Sequence, residues 1–216
     1  MTDQFTNESL ARQVATLLLD IQAIRLSPEN PFTWSSGWLS PIYCDNRLSL
    51  SYPEVRTFIK NALAERVRTA FPQVEAIAGV ATAGIPQGAL VADVLEVPFL
   101  YVRSKPKEHG LANMIEGKIT PDQKVVVIED LISTGGSSLK VVDALRDANF
   151  EVLGMAAIFT YGFDVATRNF SDKGVSLSCL SNYGSLLTEA VSQKLISEAE
   201  IASLQEWRKA PERWKQ

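Results

Sequence analysis

Cysteine and histidine are nearly absent from this chain of 216 residues: there are two cysteines, Cys44 and Cys179, and one histidine, His109. The cysteines lack C-x-x-C spacing, so neither a disulfide framework nor a cysteine-ligated zinc site is expected. One histidine excludes a histidine-based zinc site and argues against a Ser-His-Asp triad. No apolar run reaches the roughly 18 residues that suggest a membrane span. The first residues, Met1 to Phe5, lack the basic region and apolar core of a secretory signal. A cytoplasmic protein with no membrane partner is therefore expected. Charge is nearly balanced, with 21 Lys and Arg against 25 Asp and Glu and a net charge of −4. That balance gives no support for a duplex-binding face, and no nucleic-acid partner is expected.

What is present is an ordinary globular composition, 46% hydrophobic and 21% charged. One domain over residues 1–216 is expected, large enough to fold without staples. Leu10, Val14, Leu17, Leu18 and Ile21 recur at helical spacing and predict a helix over 7–26. Residues 32–46 are rich in Ser, Gly, Pro and aromatics and read as an irregular arm or short hairpin. A helix over 51–70 follows, with Pro53 near its start. Apolar runs at 76–80, 98–102, 124–128 and 152–159 then alternate with helical patterns at 85–95 and 137–148. Helices at 186–194 and 197–207 close the pattern. This alternation predicts an α/β fold with a parallel, doubly wound sheet.

The sharpest feature is the string from Val125 to Ser137: a buried strand, the adjacent carboxylates Glu129 and Asp130, then Leu131, Ile132, Ser133, Thr134, Gly135 and Gly136, and a helix start at Ser137. In an open α/β sheet, ligands sit beyond the carboxyl ends of the strands. Loop amides, hydroxyls and a helix N-terminus suit a phosphate, and the glycines allow close backbone approach. Two carboxylates beside a phosphate site make sense if the ligand also offers sugar hydroxyls, or a divalent cation. The Lys of a Walker A loop is missing. Residues 80–85, with Thr82 and Ala83, form a second strand-to-helix turn, either an anion loop or a plain connection. The polar stretch 103–117 is longer than an ordinary connection and carries Arg103, Lys105, Lys107 and His109, as a loop folding over a site would.

The 125–137 string resembles the 5-phosphoribosyl 1-diphosphate (PRPP) signature of the type I phosphoribosyltransferases. Tyr101 to Gly110, continuing to Gly117, resembles the catalytic loop of the orotate phosphoribosyltransferase family. Phe32 to Gly37 and Ser40 to Arg47 resemble that family's orotate-side segment. The resemblance implies the type I phosphoribosyltransferase fold, a parallel twisted sheet of about five strands, with a small hood from about residues 1–50 and the C-terminal region. It implies transfer of the 5-phosphoribosyl group to orotate with Mg²⁺, in pyrimidine biosynthesis, by a homodimer with shared sites. It also implies roles. Glu129 and Asp130 face the ribose hydroxyls, and Mg²⁺, held mainly by PRPP, lies near Asp130. Residues 131–137 cradle the 5′-phosphate, and Thr82 and Ala83 take the diphosphate in a loop that often has a non-proline cis bond. Arg103, Lys107 and His109 reach the leaving group, and Ser133, Tyr43 and Ser35 line the base. A purine phosphoribosyltransferase and a non-catalytic PRPP-sensing regulator are the alternatives.

The chain departs from the family pattern on the base side. Some orotate enzymes have Lys where Ser35 and Ser104 stand, and an Arg within the segment that here reads Thr160-Tyr161-Gly162-Phe163-Asp164. Backbone donors, Arg25 or Arg47 are the expected replacements.

Overall fold

The structure is a computed structural model and describes residues 7–34, 37–104 and 114–215. Helix α1 (Glu8–Asp20) starts at Asn7, whose side chain accepts from the amides of Ser9 and Leu10. The helix stops earlier than its apolar spacing predicts. Gln22 turns into the left-handed region, and Ile24–Leu26 becomes strand β1. Two short strands, β2 (Phe32–Thr33) and β3 (Leu39–Ser40), form a hairpin, and β4 (Ile42–Cys44) runs antiparallel to β1. Pairing with β4 therefore overrides the helical pattern at 24–26, a tertiary effect that local spacing cannot contain.

A 3₁₀ turn (Asn46–Ser51) leads into α2 (Pro53–Ala70). The alternating part then runs β5 (Ala76–Val80), α3 (Gly84–Leu95), β6 (Phe99–Val102), β7 (Ile115–Glu116), β8 (Lys124–Ile132), α4 (Gly136–Asp147) and β9 (Glu151–Thr160). After it come α5 (Asp164–Asp172), β10 (Leu177–Asn182), α6 (Tyr183–Ser192) and α7 (Glu198–Lys209). The sheet order is β10-β9-β8-β5-β6-β7, parallel except for β7, which returns antiparallel to β6. Five parallel strands match the expected number, and β7 adds a two-residue edge. The predicted strand at 124–128 is longer than its apolar run: it continues through Glu129 and Asp130 to Ile132. Leu131 and Ile132 are thus strand residues rather than loop, held because β9 continues beside them and pairs Leu131 with Phe159 and Ile132 with Thr160.

Apolar packing divides at the sheet. Val126 and Ile128 join one core with α1, α2, α3, α6 and α7. Val125, Val127 and Ile132 join a second core with α4 and α5. Alternation along β8 sends successive side chains to opposite faces, so one strand anchors both layers.

Candidate active site

The parallel strands end on one edge, and the sequence-predicted residues that follow β5, β6 and β8 among the described residues gather there. β5 lies between β6 and β8, with Gly79 opposite Ile128 and Val80 opposite Val102. The turn after β5 (81–83), Arg103 after β6, and the segment 129–137 at the end of β8 and the start of α4 are therefore neighbours at the carboxyl edge. Gly84 opens α3 against β8, and a Cβ there would overlap the Ile128 carbonyl oxygen. Only glycine lets the Thr82–Ala83 turn lie this close to the acidic strand. The Ala81–Thr82 peptide is cis, as the resemblance implies for this loop.

Glu129 is buried. Its Oε2 accepts from the Ser138 hydroxyl at 2.8 Å and its Oε1 from the Asp130 amide at 3.0 Å. Asp130 is partly exposed, and its carbonyl accepts from Asn46 Nδ2 at 2.7 Å. Burial first, and the Asp130 charge second, push the Glu129 carboxyl up to about 8, against the opposing pull of its two hydrogen bonds. Asp130 is also raised, chiefly by burial, with Arg47 pulling it back. At neutral pH the pair thus holds a proton that ordinary carboxyls would release. A ligand bringing hydroxyl donors or a cation supplies what the ionised pair lacks.

This has a sign for stability. Between the ordinary value of 4.5 and about 8, folded Glu129 keeps a proton that the unfolded chain loses. Its contribution is whole below that window and is lost as pH rises through about 8. We expect Glu129→Gln to flatten the fall of unfolding free energy across the window, removing a slope of at most about 1.4 kcal/mol per pH unit. Denaturant titrations of both proteins at several pH values read this directly, and parallel curves would exclude it.

Ser133 and Thr134 form the turn after β8, Gly135 adopts φ +79°, and Gly136 and Ser137 open α4. A Cβ at Gly135 would stand 2.5 Å from the Phe170 ring, so both the conformation and the packing call for glycine. Asn169 on α5 donates to the Thr134 carbonyl at 2.9 Å and ties the turn to that helix. The free amides at the start of α4 and the adjacent hydroxyls make this the natural anion seat.

On the base side, Tyr43 is exposed on β4, its ring 5.7 Å from Phe32. The Arg25 guanidinium stacks over both rings, at 5.5 and 5.0 Å. Arg47 is committed to Asp45 through contacts of 2.6 and 2.8 Å. Of the two expected replacements for the missing base-side cations, Arg47 is already neutralised by its neighbour. Trp34 packs on Tyr161 and edge-on against Trp207 of α7, joining this segment to the C-terminal helix. Cys44 is half-buried, and its thiol is pushed up by burial and then by Asp130, consistent with an inert side chain. Arg103 bonds through its amide to the Met114 carbonyl, with its guanidinium 3.7 Å from Glu116. Ser35, Lys107 and His109 lie outside the described residues.

Three polar residues of the site escaped sequence reasoning: Asn46, Ser138 and Asn169. Asn46 lies inside the Ser40–Arg47 segment and Ser138 directly follows the 125–137 string, but their partners are 84 and 9 positions away. Nothing local announces Asn169. Among the described residues no group of three or more His, Cys, Asp or Glu could hold a metal ion. The oxygen donors of Glu129 and Asp130 suit a hard cation such as Mg²⁺ only if its ligand supplies most of the shell.

Paired carboxyls near the end of a central parallel strand, followed by a glycine-rich turn into a helix at the sheet's carboxyl edge, describe a phosphoribosyl transferase. Residues 51–192 match the phosphoribosyl transferase domain family. An orotate phosphoribosyltransferase of Cytophaga hutchinsonii is 58% identical over 204 residues, 94% of this chain and 98% of that one. The chain belongs to the orotate phosphoribosyltransferase family. Among solved structures, the Leishmania donovani UMP synthase aligns with a TM-score of 0.78 at 25% identity, over 93% of this chain and 42% of that one. The orotate phosphoribosyltransferase of Aeropyrum pernix aligns with a TM-score of 0.71 at 26% identity, over 85% of this chain and 99% of that one.

Proposed function

We propose that this chain transfers the 5-phosphoribosyl group of PRPP to orotate, giving orotidine 5′-phosphate and diphosphate in pyrimidine biosynthesis. The observation that carries the reading is the acid pair near the carboxyl end of β8, two strand residues before the turn that opens α4. Near-full-length identity to orotate enzymes selects the base.

Asp130 and Glu129 accept from the ribose hydroxyls, and Asp130 would help hold a Mg²⁺ brought in by PRPP. Such an ion would supply charge neutralisation at the diphosphate. Amides and hydroxyls of 131–137 hold the 5′-phosphate, and the turn at Thr82 and Ala83 receives the diphosphate. Breaking the anomeric bond leaves positive charge on the sugar and negative charge on the leaving group. Stabilising the departing oxygens therefore lowers the barrier most. Arg103 and Lys107 supply that charge, and His109 donates a hydrogen bond or a proton to the diphosphate. Orotate arrives as an anion, so no activated protein nucleophile is needed. Ser133, Tyr43 and Ser35 line the base. The chain acts as one domain in the cytoplasm, its base-side hood drawn from about residues 1–50 and the C-terminal region, and Trp34 on Trp207 supports that pairing. A homodimer whose loops complete each other's sites is part of the same reading.

The test is loss of orotate absorbance on adding PRPP and Mg²⁺, with xanthine, adenine and hypoxanthine as competing bases. Consumption of orotate alone is expected. Consumption of a purine instead, or of no base with any divalent metal, would overturn the assignment.

A further inference from the structure

A chain of buried polar groups runs beneath the site and enters none of the roles above. Asn46, Ser49 and Gln87 are each at most 1% exposed. Gln87 sits on α3, the helix that starts after the Thr82–Ala83 turn, and its Nε2 lies 3.1 Å from Ser49 Oγ. Ser49 Oγ donates to the Asn46 carbonyl at 2.7 Å. Its single proton is then used, so it accepts from Gln87, and this fixes the Gln87 amide with Oε1 pointing away. That Oε1 is buried with no partner among the described residues, so Gln87 is held by Ser49 alone. Asn46 Nδ2 donates to the Asp130 carbonyl at 2.7 Å, and Asn46 Oδ1 receives the Cys44 thiol at 3.3 Å.

The direction of every bond is thereby set, and the chain joins three elements of the site: α3, the base-side strand β4, and the end of β8. The Asp130 peptide needs such a hold. The paired register of β5 with β8 ends at Ile128, so beyond it β8 has only β9 beside it. Burying Asn46, Ser49 and Gln87 costs free energy unless their polar groups are paired, and the bonds they make run through one another, the Cys44 thiol and the Asp130 carbonyl.

We propose that Asn46, braced by Ser49 and Gln87, is a positioning residue that holds the Asp130 peptide, and hence its carboxylate, in register with the base-side strand. It touches neither substrate and acts through Asp130. The proposal rests on the reading of Asp130 as the ribose-side acid. Losing Asn46 releases the peptide that carries Asp130, so the effect falls on PRPP binding and turnover together.

The experiment is a double-mutant cycle read by calorimetric binding of PRPP with Mg²⁺, without base, and by initial rates with orotate. Asn46→Leu keeps the forked outline of the side chain and removes the donor. We expect about a 10-fold loss in PRPP affinity and in kcat/KM for PRPP, the scale of one buried hydrogen bond whose acceptor is left unpaired. In an Asp130→Asn background the same change should cost less than about 2-fold, because the group it positions no longer carries charge. A merely structural role would give the same loss in both backgrounds, and that result, or an unchanged PRPP affinity in the single variant, would overturn the proposal. Gln87→Met, at the far end of the chain, is expected to give a smaller loss that also disappears with Asp130→Asn, and it decides the matter if Asn46→Leu does not fold. Parent protein that binds PRPP but consumes no orotate would reject the base assignment while leaving this cycle readable.

Discussion

Lys107→Ala is expected to cut turnover by about 10²–10³-fold, the usual loss on removing one group that stabilises transition-state charge, with orotate affinity close to that of the parent. The charge on the diphosphate grows as the anomeric bond breaks, so a cation meeting the leaving oxygens is felt in kcat more than in ground-state binding. Stopped-flow rates with a separate orotate titration make the distinction. A loss confined to orotate affinity would move Lys107 to the base side. The same variant tests sharing between subunits. In a dimer whose loops cross, Asp130→Asn has a dead pocket and a sound loop, and Lys107→Ala has the reverse. Random mixing makes about half the dimers mixed, and in each of these one site carries both defects and the other none. About a quarter of all sites then regain parent activity. If each loop served its own pocket, every site would keep one defect and mixing would restore nothing. Tagged pull-down confirms that the subunits have exchanged.

Gly84→Ala is expected to lower the thermal midpoint by roughly 2–12 °C, from an overpacking cost of about 1–3 kcal/mol in a chain of this size. The added methyl would overlap the Ile128 carbonyl oxygen, and backbone cannot rotate aside as a side chain can. Either α3 moves off β8 or the strand bends, and both separate the Thr82–Ala83 turn from the acid pair. Gly136→Ala is the control for stability: its methyl would meet only Thr134 Oγ1, at an ordinary 3.8 Å. Scanning calorimetry of both compares them directly. Equal midpoints for Gly84→Ala and the parent would show that the helix start is freer than its packing indicates.

The elements with strong apolar runs were legible in the chain. Ala76–Val80 is the strand that its pattern predicts, and the helices at 84–95 and 136–147 begin within a residue of expectation. The misses have physical causes. Ile24–Leu26 continues a helical spacing but is claimed by β4. In β10 the apolar pattern is broken by Ser178 and Ser181, both buried, and Ser181 is satisfied by the Ala11 carbonyl at 2.6 Å. In α5 only Ala166 and Phe170 are buried, too few to mark a helix in a mostly polar stretch. On the site, the acid pair and the turn after it were legible because their chemistry is contiguous. Asn46, Gln87 and Asn169 were not, since each takes its meaning from a residue that only the fold brings near.

The split of the interior at the sheet bears on how such an enzyme can change over generations. On the proposed function, the wall beside the base, with Trp34, Cys44, Tyr161 and Trp207, belongs to the packing on one face. The phosphate turn rests on the other, through Ile132, Leu139 and Phe170. Mutations that reshape the wall for another heterocycle are buffered by the first layer and leave the second undisturbed. On that proposed function, one half of the molecule is then free to drift toward a new acceptor while the other keeps the activated sugar, and the strands β5, β8, β9 and β10 carry side chains of both layers.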